Sequence, residues 1–244
     1  VSDDPLSRIR VLADEMDLPI HIHVHETTGE IEQSLKQYGK RPLQRLNDLG
    51  LVSHNLMAVH FTQANDDEIS LMAESGSHVV HCPESNLQLA SGFCPVKKLM
   101  DTGVNVALGT DGAASNNDLD MLGEMRTAAL LAKGVAMDAT ALSAEQTLRM
   151  ATINGARALG LDQHIGSIET GKYADIVGIV IDTLESNPVY TPVSHIIYSC
   201  NRNQVTDVWV AGKHLLKDRA LTTLDEQKIL RKSASWNDKI AGQI

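Results

Sequence analysis

Between residues 1 and 133, four short apolar runs of strand length alternate with stretches of helical periodicity. The runs are residues 19–26 (PIHIHVHE), 55–61 (NLMAVHF), 77–83 (SHVVHCP) and 104–112 (VNVALGTDG). A helix opens the chain, with Asp4-Pro5 as cap and first-turn proline and Leu6, Ile9, Leu12 and Met16 at helical spacing. Further helical stretches run from about 29 to 49, ending at Gly50, and from caps at Asp66 and Asp67 to Gly76. Others are expected near 94–102, 118–133 and 143–159, the last with a Ser143/Gln146 capping box and a Gly160 stop. A strand–helix rhythm of this kind predicts an α/β fold, a parallel sheet covered by helices.

Chemistry-bearing residues fall at the ends of these runs. The first three carry His23, His60 and His81 near their C-terminal ends, and the fourth leads into Asp111. In βα-barrels the active site is assembled at those ends. Alternation in residues 19–26 predicts that His21, His23 and His25 share one face, with Glu26 where strand becomes loop. A neutral imidazole at His23 suits zinc, and Glu26 beside it can move protons. The bland alternative is a buried histidine with a capping glutamate. His60 reads equally as a core histidine or a functional one. His81 reads as a loop-ordering hydrogen bond or a contact to substrate, and His21 and His25 as barrel filling or support for His23. In residues 108–117 (LGTDGAASNN), Asp111 is either an ordinary Asx-turn residue or a group that binds metal and accepts a proton from its water. The conjunction of four such strand ends favours the chemical readings.

After residue 160 the pattern changes. Residues 165–182 alternate apolar and polar around a turn at Gly171, and residues 205–216 read as a second hairpin around Ala211-Gly212. The expected organisation is a barrel segment over 1–160 and, over 161–244, an accessory β-module with a helical tail at about 224–240. A closed barrel needs eight strands, and an open half leaves long unpaired edges. The expectation is therefore the C-terminal part of a longer protein, whose remaining strands would close the barrel. A four-stranded open sheet is the alternative.

The formal net charge of -10 argues against a generic nucleic-acid binder, since nothing would release phosphate counterions. No apolar run reaches membrane-spanning length, and the first residues do not read as a signal peptide. Three cysteines without a CxxC fit a reducing, cytoplasmic setting rather than a disulfide framework or a thiolate zinc knuckle.

Residues 23–27 (HVHET), 58–63 (AVHFTQ), 81–96 (HCPESNLQLASGFCPV) and 108–133 (LGTDGAASNNDLDMLGEMRTAALLAK) together resemble the amidohydrolase superfamily. The nearest branch is that of the 5-methylthioadenosine/S-adenosylhomocysteine deaminases, and residues 166–179 (GSIETGKYADIVGI) look like the return into its accessory β-domain. The resemblance covers essentially the whole chain and implies the C-terminal half of a (β/α)8 barrel, strands five to eight, plus part of a small accessory β-sandwich domain. It implies one zinc ion per subunit, held by His23 and Asp111. Two further ligands would come from a His-x-His pair on the first barrel strand, which has no counterpart here. It further implies that Asp111 takes a proton from water, that His60 orients the resulting hydroxide, and that Glu26 contacts the purine and moves protons. The reaction implied is hydrolytic removal of the 6-amino group of methylthioadenosine, S-adenosylhomocysteine or adenosine, by a homo-oligomer whose partner is a small purine nucleoside. Guanine or other nucleobase deamination, triazine hydrolysis and a non-catalytic scaffold are the alternatives. The H-x-E and P-C-x-x-C signature of cytidine-type zinc deaminases is absent.

Overall fold

A computed structural model describes residues 1–242. Its first part is built from α1 (Asp3–Met16), β1 (Ile20–Val24), α2 (Thr28–Tyr38), α3 (Pro42–Asp48), β2 (Leu56–His60), α4 (Asp66–Glu74), β3 (His78–His81), α5 (Pro83–Gln88), α6 (Val96–Asp101) and β4 (Asn105–Leu108). The helices α7 (Met121–Ala136), α8 (Ala144–Met150) and α9 (Ile153–Ala158) follow. Strands β1 to β4 form one parallel sheet in sequential order. Val24 pairs with His60, and His81 with Leu108, so the C-terminal strand ends lie along one edge.

The register follows from burial. All five residues of β2 are buried, as expected for a strand covered on both faces. Leu43, Leu56, Ile69, Met72, Val79 and Leu99 form the centre of the core beneath the sheet. Removing water from such side chains stabilises by roughly 25 cal/mol per Å² of apolar surface.

The second part contains β5 (Ile176–Ile179), α10 (Pro192–Tyr198), a 3-10 turn at Arg202–Gln204, β6 (Val205–Val210), β7 (Lys213–Lys217), β8 (Ala220–Leu221) and α11 (Glu226–Ala241). These strands form an antiparallel sheet, β5-β6-β7-β8. Ile197 of α10, with Ile179 and Val205, packs against Leu122, Met125 and Ala129 of α7, which joins this sheet to the first part. The expected residue range 161–244 extends two residues beyond those described.

Several boundaries differ from the sequence reading, each for a local reason. The stretch 29–49 is two helices, because Pro42 forces Arg41 into the extended region (ψ 154°). The stretch 143–159 breaks at Thr152, while the Ser143/Gln146 capping box is present. Asn65, not Asp66 or Asp67, caps α4, in a capping box with Glu68. The N-cap of α1 is Ser2, and Asp4 is already helical. Gly171 does not turn a hairpin: among the described residues no strand lies between α9 and β5, and β5 pairs with β6 instead. The hairpin around Ala211-Gly212 is present, joining β6 to β7.

His25 departs furthest from expectation. Strand β1 ends at Val24, and His25 adopts a left-handed backbone (φ 58°) that carries its ring under the sheet. There it is fully buried, edge-on to Phe61, with Nε2 3.1 Å from Oε1 of Glu68. His21, His23 and His25 therefore do not share a face. Glu68 also accepts a fork of hydrogen bonds from Arg41, at 2.7 and 2.9 Å. Burial alone would raise the Glu68 pKa, but His25, Arg41 and the backbone N–H of Asn65 hold it down at about 2. The folded state thus binds fewer protons than the unfolded chain, whose value is near 4.5, so this stabilisation is complete above pH 4.5 and lost as pH falls towards 2. Glu68→Gln is expected to lower stability at pH 7 by about 3 kcal/mol. Urea midpoints across pH should show that deficit shrinking between about pH 4.5 and 2.

Candidate functional site

The edge where β1, β2 and β4 end collects the polar groups. His23 lies in β1, His60 is the last residue of β2, and Asp111 follows β4 by three residues. One ligand atom from each lies within 4.8 Å of the others. His23 is exposed, His60 is buried and Asp111 is half-buried. Glu26, two residues beyond β1, sets its Oε2 3.9 Å from Nε2 of His60, and Oδ2 of Asp111 is 4.0 Å from the same nitrogen. The His23 and His60 rings are 5.2 Å apart. The structure thus brings His23, Glu26, His60 and Asp111 together. His81 ends the neighbouring strand β3, fully buried, and is not part of the three-residue cluster.

The backbone here is held in sparsely populated conformations. His60, Phe61 and Asp111 all have left-handed backbones, with φ of 73°, 52° and 62°. Each such residue costs on the order of 1 kcal/mol or more, offset by the packing around it. Gly109 opens the turn into Asp111. A Cβ there would stand 3.0 Å from Val80 Cγ1, so a side chain at this position would press on β3 and force Val80 to shift by a few tenths of an ångström.

Hydrogen bonds aim the side chains. Oδ2 of Asp111 accepts from the hydroxyls of Ser85 and Ser115, both at 2.7 Å, and Oδ1 accepts from the Gly112 N–H. Partial burial would raise the Asp111 pKa, but these donors outweigh it and keep the carboxylate below its usual value. Nδ1 of His60 lies 2.8 Å from Oδ1 of Asn86, and Nε2 faces Glu26 and Asp111. Burial, then the proximity of His60, pushes His81 down to about 3, which keeps it neutral.

Sequence reasoning missed Ser85, Asn86 and Ser115 as partners of these groups, and with them Glu124. That residue is wholly buried on α7 and accepts from the Asn116 side-chain amide and, at 3.3 Å, from the Glu84 N–H. Asn116 in turn accepts from the backbone N–H groups of Asp118 and Leu119. Glu124 thereby ties the loop after Asp111 to α5 and α7.

The donor set fits zinc. Imidazole and carboxylate are its ordinary ligand types, and His23 and Asp111 supply one of each. Nε2 of His60 is left free because Asn86 engages the other ring nitrogen. This polar, metal-capable cluster lies at the C-terminal ends of a parallel sheet, where βα folds build their sites.

The chain belongs to the Amidohydrolase family, which it matches over residues 1–215. It is 52% identical over 243 residues to the 5-methylthioadenosine/S-adenosylhomocysteine deaminase of Teredinibacter turnerae, covering 100% of this chain and 55% of that relative. Against the enzyme of the same name from Saccharophagus degradans it is 51% identical, covering 100% of this chain and 54% of the other. Among solved structures, it superposes with a TM-score of 0.97 and 55% identity on an adenosine deaminase from Xanthomonas campestris with bound zinc, covering 99% of this chain and 55% of that one. It also resembles the atrazine chlorohydrolase TrzN from Arthrobacter aurescens complexed with zinc, with a TM-score of 0.91 and 27% identity over 96% of this chain and 52% of that one. The chain spans about half the length of the curated relatives it matches.

Burial, opposed by the Glu84 N–H and reinforced by the Glu84 carboxylate, raises the Glu124 pKa to about 8. The folded state then holds a proton that the unfolded chain releases near 4.5, so this group lowers stability as pH rises from 4.5 to 8. Glu124→Gln, which cannot ionise, is expected to gain on the wild type by up to about 1.4 kcal/mol per pH unit across that window. Thermal midpoints of the two proteins from pH 5 to 9 check this, and parallel curves would contradict it.

Proposed function

We propose that this chain is the C-terminal half of a zinc-dependent deaminase that hydrolyses the 6-amino group of purine nucleosides of the methylthioadenosine, S-adenosylhomocysteine or adenosine type. The observation that carries this reading is the meeting of His23, His60 and Asp111 within 4.8 Å, with Glu26 alongside. The 52% identity to a methylthioadenosine/S-adenosylhomocysteine deaminase supports the substrate class. Residues 1–160 then supply strands five to eight of a (β/α)8 barrel, and residues 161–244 part of an accessory β-module and its tail. The half-length coverage of the relatives supports a chain that supplies part of a longer barrel.

His23 and Asp111 would hold the single zinc ion, together with a His-x-His pair outside this chain. Zinc, when bound, supplies Lewis-acid chemistry that lowers the pKa of water. Asp111, kept ionised by Ser85, Ser115 and Gly112, is the base that takes the proton of the attacking water. His60 orients that water through Nε2. Glu26 sits where it can pass a proton to ring N1 and then to the departing amine. The water oxygen forms the new bond to C6, the C6–N bond breaks, and the amine leaves as ammonia, giving the inosine analogue. His81, buried at the end of β3, is assigned as a neighbour of His60 rather than as a contact to substrate.

A triazine hydrolase shares the fold at 27% identity, and a substrate panel separates it from the reading above. The ultraviolet absorbance of 5-methylthioadenosine, S-adenosylhomocysteine, adenosine, guanine and atrazine should be followed with the whole protein, zinc-loaded and chelator-treated. The expected result is chelator-sensitive turnover of the adenosine-type substrates. Glu26→Gln should keep its zinc and lose about 10²–10⁴-fold in kcat. Zinc-loaded protein inert towards every purine nucleoside would overturn the reading.

A further inference from the structure

We propose that α5 and the turn after it form a strap whose adjacent side chains, Ser85 and Asn86, are positioning residues for His60 and Asp111. The proposal rests on the functional reading above. Ser85 and Asn86 are 0% and 1% exposed, although both are polar and lie in a helix of only six residues. A buried polar side chain is tolerated only where it finds partners. Here the partners are the site itself: Asn86 Oδ1 meets His60 Nδ1 at 2.8 Å, with the Asn86 amide nitrogen left without a partner, and the Ser85 hydroxyl donates to Asp111 Oδ2 at 2.7 Å. Five residues after Asn86, the hydroxyl of Ser91 reaches Oε1 of Glu26 at 3.4 Å. One short segment therefore touches three of the four groups at the strand ends.

The strap is anchored at both ends. On one side the Glu84 N–H donates to Glu124, and the Glu84 carboxylate accepts from Thr127 at 2.8 Å, which fastens α5 to α7. On the other, the Ser91 carbonyl accepts from Gln63 Nε2 at 2.8 Å and from the Thr62 hydroxyl at 3.2 Å. The same hydroxyl proton is shared with the Glu26 carbonyl, the nearer acceptor at 2.6 Å. The turn closes at Gly92, whose φ is 128° and where a Cβ would lie 2.4 Å from Gln63 Nε2. A segment held this way has little freedom to follow its partners, so the partners follow it.

The consequences differ for the two groups. Asn86 presents an acceptor to Nδ1 of His60, which selects the Nδ1–H tautomer and leaves Nε2 as the lone pair facing Glu26 and Asp111. Ser85 fixes the rotation of the Asp111 carboxylate about its own axis and shares Oδ2 with Ser115. Losing Asn86 therefore releases the tautomer, and losing Ser85 releases one of two hydroxyl anchors.

The test uses the whole protein with ¹⁵N-labelled histidine. In the metal-free wild type, the His60 ring is expected as the Nδ1–H tautomer, and in Asn86→Leu as a mixture. Zinc-loaded Asn86→Leu is expected to lose roughly 10–100-fold in kcat for 5-methylthioadenosine, with KM little changed. Ser85→Ala should lose roughly 10-fold in kcat without altering the His60 tautomer, and Ser85→Thr should recover most of that loss. If Asn86→Leu fails to fold, Asn86→Ala replaces it in the same measurements. An Nε2–H tautomer in the wild type, or full kcat in the zinc-replete Asn86 and Ser85 variants, would overturn the proposal. Because the tautomer is read without substrate or metal, a tautomer that follows Asn86 in a protein inert to purine nucleosides would reject the function and leave the positioning intact.

Discussion

The left-handed turn at the end of β2 is the constraint on which the site depends. His60 pairs with Val24 as an ordinary strand residue, yet its φ of 73° swings the chain sharply away from the sheet. That turn leaves the imidazole at the edge, between Glu26 and Asp111, and sends Phe61 into the core, where it is fully buried. The fold tolerates the strain because all of β2 is covered on both faces and because the ring nitrogen Nδ1 is tied to Asn86. Parallel pairing with β1 and the close approach of β4 to β3 through Gly109 then set His23 and Asp111 against the same point.

Two buried carboxylates frame this edge in opposite ways. Glu68 sits under β1 among donors, so it is ionised and binds His25 and Arg41 into a fixed support. Glu124 sits under the Asp111 loop beside another carboxylate, so burial wins and it holds its proton up to about 8. The same physics, desolvation against hydrogen bonding, gives different answers because the number of donors differs. Both serve to hold loops whose tips carry the polar cluster.

The parallel sheet and its polar edge were legible in the sequence because strand runs and functional side chains coincide there. His23, His60 and Asp111 each close or follow an apolar run, so their clustering could be expected from periodicity and from where βα folds build sites. His25 was misplaced because period-2 alternation carries no sign of where a strand stops, and the strand stops one residue earlier. Helix α5 was not legible, since PESNLQ has no apolar stripe and its burial arises from contacts with distant groups. Asn65 was overlooked as a cap because Asp66 and Asp67, which follow it, are themselves capping types. The strand proposed before Gly171 failed because alternation there is not matched by any partner edge.

Anomalous diffraction at the zinc edge, from crystals of the whole protein grown with zinc, tests the central claim most directly. The account predicts one peak at the C-terminal edge of β1–β4, about 2.0–2.2 Å from a His23 ring nitrogen and an Asp111 carboxylate oxygen, with Nδ1 of His60 still on Asn86. A fully occupied zinc bound elsewhere, or no zinc at that edge in protein that turns over a purine nucleoside, would contradict it.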